Sequence, residues 1–229
     1  MFWNEADADK PYQVPDDIVD LAFKINCKCL PLEHTRQLSK AIHDALPWIA
    51  EEDRAGIHLI HGAESGNGWI RPEDTSNEVL YLSRRTRMSL RLPKDRLEDA
   101  AKLTGQTLAI DEYKIEVGES LLKPLSTSST IFSRYVLSAE SEAEDDFLKR
   151  IYKELQGMGI NISKLLCGKT HILQGHEGEV FTRSIMLAEL KPEESVTVQQ
   201  KGIGEGRKIG CGLFIAHKGI APVKGIEDD

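Results

Sequence analysis

Five glycines surround two basic residues near the C-terminus, and this combination is the strongest chemical signal in the chain. The segment Gln200–Ile215 contains Gly202, Gly204, Gly206, Gly210 and Gly212, with Arg207 and Lys208 between the third and fourth glycines. Glycine lets a backbone approach a ligand closely, and the two cations attract negative charge. The segment predicts a phosphate-bearing partner. The alternative is a tight turn that binds no ligand.

The order of elements around the glycines indicates which kind of phosphate ligand to expect. Nucleotide-binding loops run from a strand through the glycines into a helix, whose N-terminus holds the phosphate. Here Pro192, followed by two glutamates, predicts a helix before the glycines, and Cys211–Ile215 predicts a short buried strand after them. The sequence contains no Gly-Lys-Ser/Thr loop, metal-ligand cluster or serine elbow. A small-molecule phosphate enzyme is therefore disfavoured, and we expect no cofactor and no metal.

The elements that must position this loop form two halves with the same order. Helical and alternating apolar patterns predict the following elements: strands at Ile18–Cys29, Ile57–His61, Val79–Leu92 (one long strand or a hairpin) and Tyr113–Val117, with helices at Thr35–Trp48 and Lys94–Leu103; then strands at Ile131–Leu137, Leu165–Leu173, Val180–Leu190 and Cys211–Ile215, with helices at Glu142–Leu155 and after Pro192. The sequence thus predicts an α+β fold of two tandem ferredoxin-like (RRM-like) β-α-β-β-α-β units with a C-terminal glycine-rich loop. The units would span residues 1–125 and 126–229.

Composition is compatible with a nucleic-acid partner despite a net charge of −8. Residues 1–20, 140–146 and 227–229 hold 14 acids and one base, which leaves 28 basic and 23 acidic residues in the rest of the chain. A basic face is therefore possible. No apolar run is long enough to cross a membrane, and the N-terminus lacks the features of a signal peptide, so we expect a cytoplasmic protein. The four cysteines form no Cys-x-x-Cys pair and are expected to be reduced.

Four arginines cluster in the segment Val79–Leu92, which is predicted as one long strand or a hairpin. On one strand, Arg85, Arg87 and Arg91 would share a face, whereas Arg84 would point to the other. Such a stripe suits a phosphate backbone, although a solvated strand face is the alternative. In the second half, cationic side chains that could extend the surface are Lys164, Lys169 and Arg183. Trp69 would either pack in the core or stack on an unpaired base.

The chain resembles the CRISPR-associated endoribonucleases of the sixth Cas family, which cut precursor CRISPR RNA within its repeats. The segments that carry the resemblance are Gly202–Phe214, Leu82–Pro93, Ile57–Trp69 and Thr182–Ser184, and the likeness covers nearly the whole chain. It implies metal-independent cleavage in which a ribose 2′-hydroxyl attacks the adjacent phosphodiester and leaves a cyclic phosphate. The implied partners are CRISPR repeat RNA, as precursor and as mature guide, and other Cas proteins of an effector complex.

The resemblance also directs attention to histidines near the first helix. The reaction needs a base, an acid and cationic support, and imidazole suits the first two roles. His43 matches relatives that carry the catalytic histidine within the helix, and His61 matches those that carry it afterwards. His34, at the helix start, is a further catalytic candidate and could also cap the helix or orient the substrate. His58 is a fourth candidate, whereas His171, His176 and His217 are expected at the surface or facing RNA.

A second function class remains open at this stage. A non-catalytic subunit that holds guide RNA within a CRISPR effector complex would share the basic faces but would cut no RNA. The two classes differ in one observable: only the enzyme cleaves repeat RNA in excess chelator.

Overall fold

The computed structural model describes residues 12–62 and 78–217. Trp69, for which the sequence offered two roles, lies outside these ranges. The strands are β1 (Ile18–Asn26), β2 (Cys29–Pro31), β3 (Gly56–Ile57), β4 (Val79–Tyr81), β5 (Arg87–Pro93), β6 (Thr107–Ile110), β7 (Tyr113–Lys123), β8 (Ile131–Leu137), β9 (Lys164–Gly175), β10 (Gly178–Ala188) and β11 (Ile215–Ala216). The α-helices are α1 (Thr35–Ala45), α2 (Leu97–Ala101), α3 (Glu144–Gly157) and α4 (Pro192–Lys201), and short 3₁₀ turns span Pro47–Ala50, Lys94–Arg96 and Arg207–Ile209.

Two main antiparallel sheets hold most of the strands. The first has the order β3-β5-β1-β7-β6, and the second has the order β11-β8-β10-β9. Strands β2 and β4 form a small separate ladder. In the second sheet, β9 is an edge strand paired with β10 along a long hairpin. The α+β class predicted from the sequence is confirmed.

The apolar side chains form two main cores that follow the two halves of the chain. In α1, buried Leu38 and Ile42 lie one turn apart and pack with the first sheet. In α3, Phe147, Ile151 and Leu155 repeat every four residues and pack against the second sheet. The first core also contains residues from the second half: Tyr135, Leu173 and Cys211. The halves are therefore packed against each other through apolar contacts.

Several predicted elements differ from the structure, and each difference has a local cause. The segment Val79–Leu92, predicted as one long strand or a hairpin, forms neither: a turn at residues 84–85 separates β4 from β5, and the two strands belong to different sheets. The strand predicted at Cys211–Ile215 is reduced to its last residue and Ala216. Gly210 and Gly212 have φ of +84° and +67°, which is incompatible with an extended strand.

No helix in the described ranges is long and apolar enough to span a bilayer. The cysteines are free thiols: Cys27, Cys29 and Cys167 are half-buried and Cys211 is buried. Burial raises the pKa of the Cys211 thiol to about 12. At neutral pH this thiol therefore stays protonated and acts as a small apolar side chain.

Candidate active site

The glycine-rich segment folds back on the protein itself. All five glycines have positive φ, which other residues adopt only at an energetic cost. Ile203 N–H donates to Gly212 O at 3.1 Å, and Gly212 N–H donates to Tyr135 O at 2.7 Å. A Cβ on Gly210 would lie 2.5 Å from Leu59 Cγ. The left-handed turns and the close contact with the first half account for the glycines.

The tight packing at Gly212 predicts an unequal effect of two alanine substitutions. Gly212 (φ +67°) and Gly204 (φ +68°) have nearly the same φ, but a Cβ would lie 2.3 Å from Ile203 O at the first and meet nothing within 4 Å at the second. We expect Gly204→Ala to lower the free energy of unfolding by about 1–2 kcal/mol and Gly212→Ala by about 2–5 kcal/mol. Urea unfolding of both variants measures this; equal losses would contradict the packing described.

Arg207 and Lys208 contact backbone carbonyls of their own chain, unlike the phosphate-facing orientation that the sequence predicted. Arg207 donates from Nη1 to Gln200 O at 2.9 Å and from Nη2 to Arg54 O at 3.0 Å. Lys208 Nζ donates to Ala50 O. Burial lowers the pKa of Arg207 to about 10. Both cations therefore hold the glycine-rich loop against the first half.

Arg91 is fully buried, so the prediction that it binds RNA is wrong. Its guanidinium donates to both carboxylate oxygens of Asp20, at 2.8 and 2.9 Å. Its Nη1 also donates to Gln199 O at 2.9 Å and Phe214 O at 2.8 Å. Burial by itself raises the pKa of Asp20, but the charges of Arg91 and His58 outweigh burial and hold this pKa well below its ordinary value. Arg91 thus connects the first sheet to the second half.

The other predicted arginines lie in and beside the turn between β4 and β5. Arg84 and Arg85 are exposed in the turn, whereas Arg87 begins β5 and is half-buried. Arg87 Nη1 donates to the carbonyls of Arg84 (3.1 Å) and Thr86 (3.0 Å). Because the turn interrupts the strand and Arg91 is buried, the predicted stripe of three guanidiniums does not form.

The predicted cations of the second half differ in their contacts. Lys164 Nζ pairs with Glu189 Oε1 at 2.5 Å, and Arg183 Nη2 donates to Glu142 O at 2.5 Å. Lys169 is exposed in the middle of β9 and has no ion pair within the described part of the chain. Of the three side chains, Lys169 is therefore the one most available to a phosphate.

His34 is buried at the start of α1, with both ring nitrogens engaged. Only 3% of the surface of His34 is exposed to solvent. Its Nε2 accepts from Ile60 N–H at 3.2 Å, so Nδ1 carries the proton and donates to Pro31 O at 2.9 Å. These bonds fix the segment that leads to His61. They favour a positioning role for His34, in place of the proton transfer predicted as one option.

His58 and His61 follow β3 but face different surroundings. His58 Nε2 lies 3.4 Å from Asp20 Oδ1, within the buried Arg91 network. His61 is half-buried, and its ring centre lies 6.1 Å from that of Tyr135, which in turn lies 5.6 Å from the His171 ring. His61 is thus at the junction between the two halves, whereas His58 belongs to the network that joins them.

His43 has the geometry of a proton acceptor at the surface of α1. Its Nδ1 lies 2.7 Å from Ser39 O; since a carbonyl only accepts, Nδ1 carries the proton and Nε2 presents a lone pair in the neutral ring. Among the residues described, nothing hydrogen-bonds to His43 Nε2. The ring is half-buried. A fixed tautomer with an accessible Nε2 is the arrangement that a general base requires.

His176, in the turn between β9 and β10, meets this histidine from the second half. The two ring centres lie 6.5 Å apart with their planes at 85°. Ser39 lies between them: its Oγ is 3.2 Å from His176 Nε2 and 3.4 Å from His43 Nδ1. The sequence predicted His176 at the surface or facing RNA, and the residue is exposed, but no local pattern indicates that this hairpin reaches α1.

The fold and this junction define a class of mixed α+β proteins with two packed antiparallel sheets, in which His43 of one half meets His176 of the other. The chain belongs to the Cas6 family, since the family model described as "Cas6 Crispr" matches residues 19–219. A protein named "CRISPR-associated endonuclease Cas6" from Myxococcus xanthus (strain DK1622) is 28% identical over 197 residues, which cover 86% of this chain and 80% of that protein. The resemblance inferred from the sequence is confirmed.

Solved structures show the same fold at low sequence identity. A structure titled "CRISPR associated protein Cas6" has a TM-score of 0.58 at 11% identity, covering 88% of this chain and 100% of that chain. A second, titled "Characterization of a Cas6-related gene from Pyrococcus furiosus", has a TM-score of 0.59 at 13% identity, with 88% and 99% coverage. These similarities support the α+β architecture over most of the chain.

Proposed function

We propose that this protein is a CRISPR RNA endoribonuclease that cuts precursor RNA within its repeats to give mature guide RNA. Membership of the Cas6 family and the name of the Myxococcus relative support the reaction class. The single structural observation that carries the proposal is His43, whose fixed tautomer leaves an accessible Nε2 at the junction of the two halves. A cytoplasmic location and partnership with other Cas proteins would follow from this role.

The proposal includes two ferredoxin-like units, residues 1–125 and 126–229. Strand order supports this division. The runs β7-β1-β5-β3 in the first sheet and β11-β8-β10-β9 in the second both place the strands of their unit in the spatial order fourth, first, third, second. In both halves a helix follows the first strand: α1 after β1, and α3 after β8. The catalytic junction would then be formed where one unit meets the other.

The proposed reaction is metal-independent transesterification. A base removes the proton of the 2′-hydroxyl, and the 2′-oxygen forms a bond to the adjacent phosphorus. The bond from phosphorus to the 5′-oxygen breaks, and this oxygen takes a proton from an acid. The products are a 2′,3′-cyclic phosphate and a 5′-hydroxyl. His43 is the proposed base, and His61 is the alternative that the sequence left open.

Repeat RNA would bind through cations that the fold leaves exposed. Arg84 and Arg85 in the β4–β5 turn and Lys169 on β9 meet this condition. Phosphate contacts of this kind position RNA without reading its sequence. Arg91 is excluded by its burial, and the glycine-rich loop would contribute by holding the segment before His61 in place through Leu59.

A cleavage assay in excess chelator tests the proposed function. We expect the purified protein to cut repeat RNA at one position in EDTA, leaving a cyclic phosphate that acid opens to a 2′- or 3′-monophosphate. End-labelled RNA resolved before and after acid treatment measures this. RNA that is bound but uncut at every pH would contradict the proposal and favour a non-catalytic RNA-binding subunit.

A further inference from the structure

The second half of the chain contributes an imidazole to a site whose base lies in the first half. His176 is exposed in the β9–β10 turn, yet its Nε2 reaches Ser39 of α1. The carbonyl oxygen of the same serine accepts a hydrogen bond from His43 Nδ1–H. One residue therefore sets the position of both imidazoles. Nothing in the local sequence of the hairpin requires this contact, since His176 and Ser39 are separated by 137 positions.

We propose that His176 is the general acid of the reaction, donating a proton to the 5′-oxygen while His43 acts as the base. This inference rests on the proposed function. Attacking and leaving oxygens lie on opposite sides of phosphorus in an in-line displacement, so the acid and the base must flank the phosphate. Each must come within about 2.6–3.2 Å of its oxygen. The ring centres lie 6.5 Å apart and both rings contact Ser39, so a phosphate bound beside this pair can be reached by an imidazole from each half.

The surroundings of the two rings assign the roles. His43 Nδ1–H donates a hydrogen bond to the carbonyl of Ser39, so Nε2 of the neutral ring is the acceptor. The same hydrogen bond stabilises the charged ring after Nε2 has taken a proton. The contact of His176 is with a hydroxyl, Ser39 Oγ, which can accept from a protonated ring or donate to a neutral one. After one turnover the base holds a proton and the acid has lost one, and exchange with water restores both.

A substrate with a sulfur leaving group separates the acid from the base. Replacing the bridging 5′-oxygen at the scissile phosphate with sulfur gives a leaving group that departs as a thiolate and needs little protonation. On normal repeat RNA we expect His176→Gln to slow single-turnover cleavage by about 10²- to 10³-fold. On the sulfur-substituted RNA we expect the same variant to cut within about threefold of the unmodified protein, whereas His43→Gln stays slow.

A matched variant and a binding measurement keep the result specific. His217→Gln replaces another second-half histidine, whose ring packs against Phe132, and should cut both substrates at the unmodified rate. His176→Gln should bind uncleavable 2′-deoxy repeat RNA with a dissociation constant within about twofold of the original. Because His176 lies on an exposed turn, the melting temperature of the His176→Gln protein should equal that of the unmodified protein.

The outcomes distinguish this inference from the proposed function. If the unmodified protein cuts and His43→Gln does not, but His176→Gln cuts normal RNA at full rate, the acid assignment is overturned and the proposed function stands. A slow His176 variant that sulfur fails to rescue also overturns the acid role. If the unmodified protein cuts neither substrate, the proposed function itself fails.

Discussion

Replacing His43 with glutamine is expected to reduce cleavage of repeat RNA by about 10²- to 10⁴-fold while leaving RNA affinity nearly unchanged. The reason is the single accessible nitrogen: Nδ1 is held by Ser39 O at 2.7 Å, so proton transfer depends on Nε2. Glutamine can keep one hydrogen bond but cannot take up a proton near neutral pH. The loss should therefore appear in the rate of bond cleavage and not in substrate binding.

Single-turnover kinetics with saturating protein measure this rate, and titration of 2′-deoxy RNA measures binding separately. The comparison variant is His61→Gln, because His61 is the alternative base and its ring lies near Tyr135 of the second half. Full activity in His43→Gln together with loss in His61→Gln would move the base to the segment after β3. If His43→Gln has a higher dissociation constant for RNA but an unchanged single-turnover rate, His43 binds RNA without transferring a proton.

Removing Arg91 is expected to be the most destabilising single change in the network described, with a loss of about 3–5 kcal/mol in Arg91→Met. The substitution leaves the half-buried carboxylate of Asp20 without its bidentate partner and removes the donor to Gln199 O and Phe214 O. Urea unfolding measures the loss. Arg87→Met, four residues earlier on the same strand but half-buried, should cost less than about 1 kcal/mol. Similar losses in both variants would contradict this account.

The same network predicts how stability depends on pH. The pKa of Asp20 is lower in the folded protein than its ordinary value of 3.8, so the folded state favours the ionised carboxylate. This contribution is complete above about pH 5 and decreases as pH falls below about 4 toward the folded pKa. The unmodified protein should therefore lose more stability between pH 5 and pH 3 than Arg91→Met. A parallel decline in both would indicate that other carboxylates dominate acid unfolding.

Much of the architecture follows from local sequence patterns. The predicted strand at Ile131–Leu137 is observed with the same bounds, and the predicted helix at Glu142–Leu155 differs from α3 by two residues at each end. These segments bury a face that repeats every two or four residues, and such periodicity is independent of the rest of the chain. The segment Val79–Leu92 was predicted as one long strand or a hairpin, but its pattern does not show that β4 and β5 pair with different sheets.

The candidate site was only partly predictable. The sequence indicated His43 and His61, because a helix and the strand after it place them in the region expected from the family. It gave Arg91 the wrong role, since alternation along a strand identifies two faces but not which face another part of the chain covers. It placed His176 at the surface or facing RNA but did not indicate its contact with α1, because that contact joins residues far apart in the chain.

By itself, the sequence determined the family, the α+β class and the set of histidines from which a base could be drawn, since these depend on residue types and short-range spacing. Only the tertiary structure decided that Arg91 joins the halves from a buried position and that Ser39 brings His43 and His176 together. The physical reason is that burial and imidazole geometry depend on how the second half packs against the first, and that packing is set by contacts more than 100 residues apart.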